Sequence, residues 1–450
     1  MSDRLLSLRG RAAQNLGRLA GVLSRALRLG AGQSVVGRIA NTVDPSLLGS
    51  LARSLTGGSV IILGTNGKTS TTAMIARAAT FAGRNVVTNA TGANLVGGVV
   101  GALMGGGPAE LGVIEADEVV APRVAAALRP RVLVWTNVFR DQLDRYGEVD
   151  LILGYLSRAA DGLAENGTLV VDADDPGLVS AAQRTGKQVS YFGLTHGRED
   201  ASHIAADSGD CPRCGTPLRY SATFLGHLGV YRCPSCGWGR PDPDVSVTPV
   251  ELRGARRLRA RVRAGEQEAE FSLQMGGLSA ASNLGAATAA LRALDIPLDV
   301  AAQALDEMPT LFGRGEEISV GATNGLLTLM KNPAGGNELI AELLEDGYRR
   351  VFVAVNDRYA DGLDVSWLWD IEFERFAGRL DELAATGRRA YDVAVRLKYA
   401  GLDVSAVEPQ LRDSMRTMAA RSEPFAVLAT YTAMREIRAA LRGRVAHLQT

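Results

Sequence analysis

The sequence predicts an α/β protein: a mostly parallel sheet covered on both faces, interrupted once by a small metal-binding module and followed by a second α/β unit. Three observations carry this. From about residue 56, short uncharged strand runs alternate with helical stretches, the pattern of strands buried on both faces. A glycine-rich hexapeptide, Gly64-Thr-Asn-Gly-Lys68-Thr69, follows the first run and opens a helix. All four cysteines form two knuckles, Cys211-Pro-Arg-Cys214 and Cys233-Pro-Ser-Cys236, eighteen residues apart.

The elements follow in order. Residues 1–45 form an amphipathic helical segment; within its first forty residues Arg4, Arg9, Arg11, Arg18, Arg25, Arg28 and Arg38 are opposed only by Asp3. Its apolar positions Leu19, Val22, Leu23, Ala26 and Leu27 keep helical spacing. We read it as a helix packed on the first domain, with weak attraction to a membrane surface as a minor term and a transit peptide as the compositional alternative. Residues 46–313 form the central domain. Its strands are Ser59–Leu63, Leu111–Glu115, Arg131–Thr136 and Thr168–Asp172, with helical stretches at Thr71–Ala82 and Ala280–Leu294. The cysteine module, 205–243, is inserted there, and a polar strand region continues to about 273. Residues 314–450 form the second α/β unit, with strands Val351–Val355 and Phe425–Ala429 and helical stretches at 372–386 and 408–421.

Composition narrows the function. Hydrophobic content of 46% over 450 residues supports more than one core, and a net charge of zero gives no general attraction to nucleic acid. Arg213, Arg219, Arg232 and Arg240 near the knuckles are balanced by Asp210, Asp242 and Asp244. No apolar run is long enough to span a bilayer. The knuckle spacing fits a closed four-thiolate zinc site of structural character; paired disulfides are the alternative, disfavoured by the absence of a signal peptide.

The hexapeptide sits where backbone N–H groups and the helix dipole attract an anion. Lys68 can reach terminal phosphates, and the Thr69 hydroxyl can hold Mg²⁺. The loop is a shortened variant, with Ile62 where the usual phosphate-loop pattern has glycine. Glu115, opening Glu115-Ala-Asp-Glu118 at a strand's carboxyl end, suits a second Mg²⁺ ligand; a solvated acidic turn is the bland reading. Thr136-Asn137-Val-Phe-Arg140-Asp141-Gln142 follows the next strand and adds a third polar wall.

Together these loops resemble the central ATPase domain of the Mur ligases, which join a carboxylate to an amine through an acyl phosphate. Asp172-Ala-Asp174-Asp175-Pro176, Gly277-Leu-Ser-Ala-Ala-Ser-Asn283 and Gly313-Arg314-Gly-Glu316 extend the match. The resemblance implies ATP binding by Gly64, Thr65, Asn66, Gly67, Lys68, Thr69, Ser70, Asn283 and Arg314, with Asn283 near the adenine and Arg314 on the phosphates. Gln142 departs from the usual histidine, and no lysine matches the one that many members carbamylate.

Lys331-Asn332-Pro333-Ala-Gly335-Gly-Asn337 and Asp361-Gly362-Leu-Asp364-Val-Ser366-Trp367-Leu-Trp369-Asp370 resemble the last domain of the MurT-type subunits of lipid II isoglutaminyl synthase. That implies ATP-dependent amidation of the D-glutamate α-carboxyl in the lipid II stem peptide, in the cytoplasm at the inner membrane face. The family draws ammonia from a glutaminase partner of the GatD type, whose Cys–His pair is completed by a ligase aspartate. Asp361 and Asp364 are the candidates, with Asp361 preferred, and Lys68 and Glu115 serve the phosphoryl transfer. With every cysteine in the knuckles, this chain has none to spare for glutamine hydrolysis. The alternatives are an ordinary Mur- or folylpolyglutamate-type ligase that adds an amino acid, and a nucleotide-binding protein that grips nucleic acid through its ribbon.

Overall fold

The structure is a computed structural model and describes residues 9–17, 33–89, 92–107, 109–140, 149–196, 209–308, 313 and 315–442. The N-terminal positions from Leu19 to Leu27, the third-loop residue Gln142, and Arg314 lie outside them.

The central sheet contains β1 (Ser59–Leu63), β2 (Val86–Thr88), β3 (Leu111–Glu115), β4 (Val132–Trp135), β5 (Thr168–Asp172) and β6 (Val189–Leu194). These run parallel in the order β6-β5-β4-β1-β3-β2. Every residue of β1, β3 and β4 is buried. Alternation along β1 splits its side chains between two cores, Val60 and Ile62 into one, Ile61 and Leu63 into the other. An uncharged run is what a strand covered on both faces requires.

After the cysteine module, β9 (Val245–Arg253) joins β6 in parallel, and β10 (Arg257–Ala264) and β11 (Gln267–Leu273) extend the sheet antiparallel. Their polar character has a simple cause. On β10, Leu258, Ala260, Val262 and Ala264 are buried, while Arg259 and Arg261 face water and pair with Glu251, Glu268 and Glu270 of the flanking strands. The helix Gly277–Ala293 then packs against the helix Lys68–Phe81. Its small residues allow close approach: a Cβ at Gly285 would stand 3.0 Å from Phe192.

The C-terminal sheet has the order β12-β13-β17-β14-β15-β16, from β12 (Glu316–Val320), β13 (Thr323–Leu329), β14 (Arg350–Ala354), β15 (Glu382–Thr386), β16 (Ala406–Glu408) and β17 (Phe425–Ala429). The helical stretch expected over 372–386 is corrected. Phe373–Phe376 is a single 3-10 turn that buries both phenylalanines, and 382–386 is strand β15. Sheet pairing overrides the local preference of its Glu, Leu and Ala for helix. The sequence reading also missed the helix Ala390–Tyr399.

Candidate active site

The site forms where the carboxyl ends of β1, β3 and β4 meet the C-terminal unit, and it begins with the glycine-rich loop. Gly64 and Gly67 have φ of +127° and +86°, and neither has room for a side chain. A Cβ at Gly64 would collide with Thr136 Oγ1, and one at Gly67 with Asn283 Oδ1, at 2.3 and 2.0 Å. Gly67 caps the helix Lys68–Phe81, so that helix's positive end opens into the loop.

The third polar stretch holds the loop in shape. Asn66 N donates to Asn137 Oδ1 at 2.8 Å, Thr136 Oγ1 donates to Asn66 O at 2.7 Å, and Thr65 N donates to Asn137 O at 2.8 Å. Phe139 N donates to Thr65 Oγ1 at 3.0 Å. The strand ends place the carboxylates. Asn89 exchanges hydrogen bonds with the Glu115 backbone, and Thr69 Oγ1 donates to Glu115 Oε2 at 2.8 Å. The hydroxyl and carboxylate predicted to share a divalent cation are thus adjacent. Lys68 Nζ donates to Glu118 Oε1 at 2.8 Å and also to the Gly64 carbonyl. Burial pulls the Lys68 ammonium down, but Glu118 and then Glu115 outweigh it and hold it above its ordinary range.

Two contacts that the sequence reading did not foresee close the loop from the C-terminal unit. Lys331 Nζ donates to Thr65 O at 2.8 Å, and Asn332 Nδ2 donates to Asn66 Oδ1 at 3.0 Å. Asn332 is fully buried and caps the helix Pro333–Glu345, its Oδ1 accepting from Gly335 N at 2.9 Å. Between the two units lies a slot of about 920 Å³, open mouth included. Asn66, Gly67, Ser70 and Asn283 line one end, and Leu225, Met275 and Leu329 supply apolar wall. A narrow, largely apolar slot beside an anion-binding loop has the form of a nucleotide site. Gly313 and Gly315, which flank Arg314, have φ of +75° and +76°, and Gly315 lines the slot.

The four thiols form one cluster, with all sulfurs within 4.8 Å of one another. Cys211 and Cys233 are buried, whereas Cys214 and Cys236 are exposed. Hydrogen bonding to Thr216, side chain first and then backbone, pulls the Cys214 thiol down to about 6. The donor set and spacing fit a zinc ion.

Asp361 and Asp364 lie apart from this loop and have different fates. Asp361 is buried and consumed internally: its carboxylate accepts from Thr432 N at 2.7 Å, from the Thr432 hydroxyl, and from Arg358 N at 3.1 Å. Asp364 is exposed and accepts from Ser366 N and Oγ at 2.8 and 2.9 Å, at the start of the 3-10 turn Ser366–Asp370. Among the described residues, no helix is long and apolar enough to cross a membrane.

Comparison with known proteins gives this geometry a family. The Mur ligase middle domain matches residues 62–216, and the MurT ligase C-terminal domain matches residues 329–434. The lipid II isoglutaminyl synthase (glutamine-hydrolyzing) subunit MurT of Streptococcus pneumoniae is 33% identical over 447 residues, 95% of this chain and 97% of that protein. The subunit of the same name from Staphylococcus aureus (strain COL) is 31% identical, over 88% of this chain and 89% of that protein. In fold, the chain is similar to a pseudomurein peptide ligase type C from Methanothermus fervidus (TM-score 0.69, 21% identity, 86% of this chain and 79% of the other). It is also similar to the MurF ligase of Thermotoga maritima in complex with ADP (TM-score 0.65, 16% identity, 90% and 85%). The near full-length match to these subunits and the two domain matches show the family: the chain belongs to the MurT family of Mur-ligase-like subunits.

Proposed function

We propose that this chain amidates the α-carboxyl of D-glutamate in the stem peptide of lipid II, using ATP and ammonia from a GatD-type glutaminase subunit. The observation that carries the reading is the joint, where the family-specific segment Lys331-Asn332 is bonded to a phosphate-binding loop whose Thr69 already meets Glu115. Thr69 and Glu115 would hold Mg²⁺, which supplies charge neutralisation of the phosphate oxygens. Loop N–H groups and Lys68 hold the nucleotide phosphates, Asn283 lies toward the base, and Arg314 offsets charge during transfer. An oxygen of the substrate carboxylate attacks the γ-phosphorus and ADP leaves. The ammonia lone pair then attacks the acyl carbon, phosphate departs with the C–O bonding electrons, and nitrogen loses a proton. The contacts from Lys331 and Asn332 keep the two units closed over an acyl phosphate that water would hydrolyse.

On this reading the glutaminase comes from outside the chain, whose four cysteines are gathered in one thiol cluster. A surface suited to a partner lies on the C-terminal unit. Tyr391, Val395 and Tyr399 recur along the exposed face of one helix, and Tyr399 meets the exposed Trp369 at 5.4 Å between ring centroids. Of the two aspartates, exposed Asp364 is the better placed to reach a partner imidazole, although the sequence reading leaned to Asp361. A lipid-linked substrate places the enzyme at the cytoplasmic face of the membrane, with at most peripheral association through the N-terminal arginines.

The test is mass spectrometry of lipid II incubated with this chain, Mg²⁺, ATP and ammonium. Conversion of one hydroxyl to an amine, with ADP release, is expected, and glutamine should replace ammonium only when the partner is added. If the mass changes only when a whole amino acid is supplied, the ordinary Mur- or folylpolyglutamate-type reading replaces this one.

A further inference from the structure

The cysteine module is a lever with two ends. Its thiols sit at the base of the hairpin formed by β7 (Arg219–Leu225) and β8 (Leu228–Arg232). The turn at the other end is not at the surface: Leu225, His227 and Leu228 are buried, and Leu225 forms part of the slot wall. Gly226 packs between the two units. A Cβ there would stand 3.2 Å from Phe139, in the loop that shapes the phosphate site, and 3.8 Å from Ala334 of the C-terminal unit. The His227 ring lies edge-on to Phe139 at 5.0 Å, and its Nδ1 is buried with no hydrogen-bond partner among the described residues. A fold accepts such an orphan where the position itself matters.

Between tip and thiols, the hairpin is tied to the end of β5. Tyr231 Oη donates to Ala173 O at 3.2 Å, and Gly229 N donates to Asp174 O at 3.0 Å. Arg240 Nε donates to Asp174 Oδ1 at 2.6 Å. Trp238 packs on Tyr231, and the Trp238 carbonyl accepts from Cys233 N at 2.7 Å, so this brace is continuous with the second cysteine knuckle. A two-stranded hairpin is marginal alone and takes its geometry from its anchors.

We propose that the zinc-anchored hairpin is a wall of the nucleotide slot, with Leu225 packing on the nucleotide's base, so that zinc occupancy and nucleotide binding are thermodynamically coupled. This rests on the nucleotide reading above. Coupling is reciprocal: whatever zinc does for nucleotide affinity, nucleotide does for zinc affinity.

Two measurements on the full-length zinc-loaded chain test it. First, Leu225→Ala should keep its zinc, measured by elemental analysis, while raising the Kd for MgADP in calorimetry by about tenfold through loss of apolar contact in a confined site. Second, zinc release to a chromogenic chelator should slow several-fold in the wild type when MgADP is added. It should not slow in Lys68→Ala, a control that removes any effect of nucleotide acting directly on zinc. Unchanged affinity in Leu225→Ala together with MgADP-independent zinc release overturns the proposal and leaves the ribbon as a stabiliser only. A wild-type chain that binds no MgADP overturns the nucleotide reading itself.

Discussion

The Arg240–Asp174 pair sets the cost of disturbing the junction between the ribbon and β5. Arg240 Nε and Nη2 both lie 2.6 Å from Asp174 Oδ1, and Nη2 also donates to Leu194 O at 2.9 Å. The Asp174 side chain is 2% exposed. Burial pushes its carboxyl up from 3.8 to about 6, while Arg240 opposes that rise. A shift of that size corresponds to roughly 3 kcal/mol against the charged form at neutral pH. Because the folded-state value lies above the unfolded one, the folded protein holds this proton more tightly. The penalty is therefore present above about pH 6 and fades as pH falls towards 3.8. Arg240→Met keeps an apolar stem, removes the charge and strands the carboxylate. The loss should be roughly 3–5 kcal/mol at pH 8, as for other broken buried pairs. Without its guanidinium, Asp174 rises further and takes up a proton at higher pH, so the gap to wild type should narrow markedly by pH 5. Thermal unfolding of both proteins across pH 5–8 reads this directly. A gap that stays constant with pH, or one under about 1 kcal/mol at pH 8, refutes the claim that the pair is a buried ionic brace.

Asn332→Ala should cost about 2 kcal/mol, since it deletes a helix cap and strands the Asn66 amide; denaturant unfolding measures the loss, and the KM for ATP should rise with it. Glu115→Gln should lower kcat on the order of 10²-fold and shift the Mg²⁺ activation curve to higher concentration, with ATP-free folding unchanged. Asp364→Asn should leave ammonium-dependent amidation intact while glutamine-dependent amidation with the partner falls on the order of 10³-fold. Asp361→Asn should instead lower the melting temperature, because its carboxylate accepts from Thr432 and Arg358 inside the fold.

The parallel strands were legible because burial on both faces demands runs such as Ser59–Leu63, which no helix of that length would use. The loop Gly64–Thr69 was legible because the sharp turn from β1 into the following helix takes positive φ at Gly64 and Gly67, which glycine alone adopts freely. Segment 372–386 misled because its helix-favouring residues are committed to sheet pairing: β15 sits between β14 and β16, with all five residues buried. The joint could not be read at all. Lys331 and Thr65 are 266 residues apart, and neither residue type announces the other. The same holds for Leu225, whose place in the slot depends on how a hairpin is braced some way from its knuckles.

Glu118 occupies two donors of the loop. The Gly64 N–H and the Lys68 ammonium are donors that a phosphate site turns toward its anion, and here both converge on Glu118 Oε1, at 3.1 and 2.8 Å. A carboxylate oxygen thus accepts from both donors, and Glu118 and its partners are buried or nearly so. On the function proposed above, nucleotide phosphates would exchange one charge-assisted set for another and would meet a negative charge already in place. Glu118→Gln keeps an acceptor for both donors but removes that charge. Affinity for MgADP should rise about fivefold, the equivalent of roughly 1 kcal/mol, measured by calorimetry at fixed salt. Lys68 should remain protonated at neutral pH, because the Glu115 carboxylate still raises its affinity for the proton. A weaker rather than tighter complex would show that Glu118 acts with the bound nucleotide instead of standing in for it.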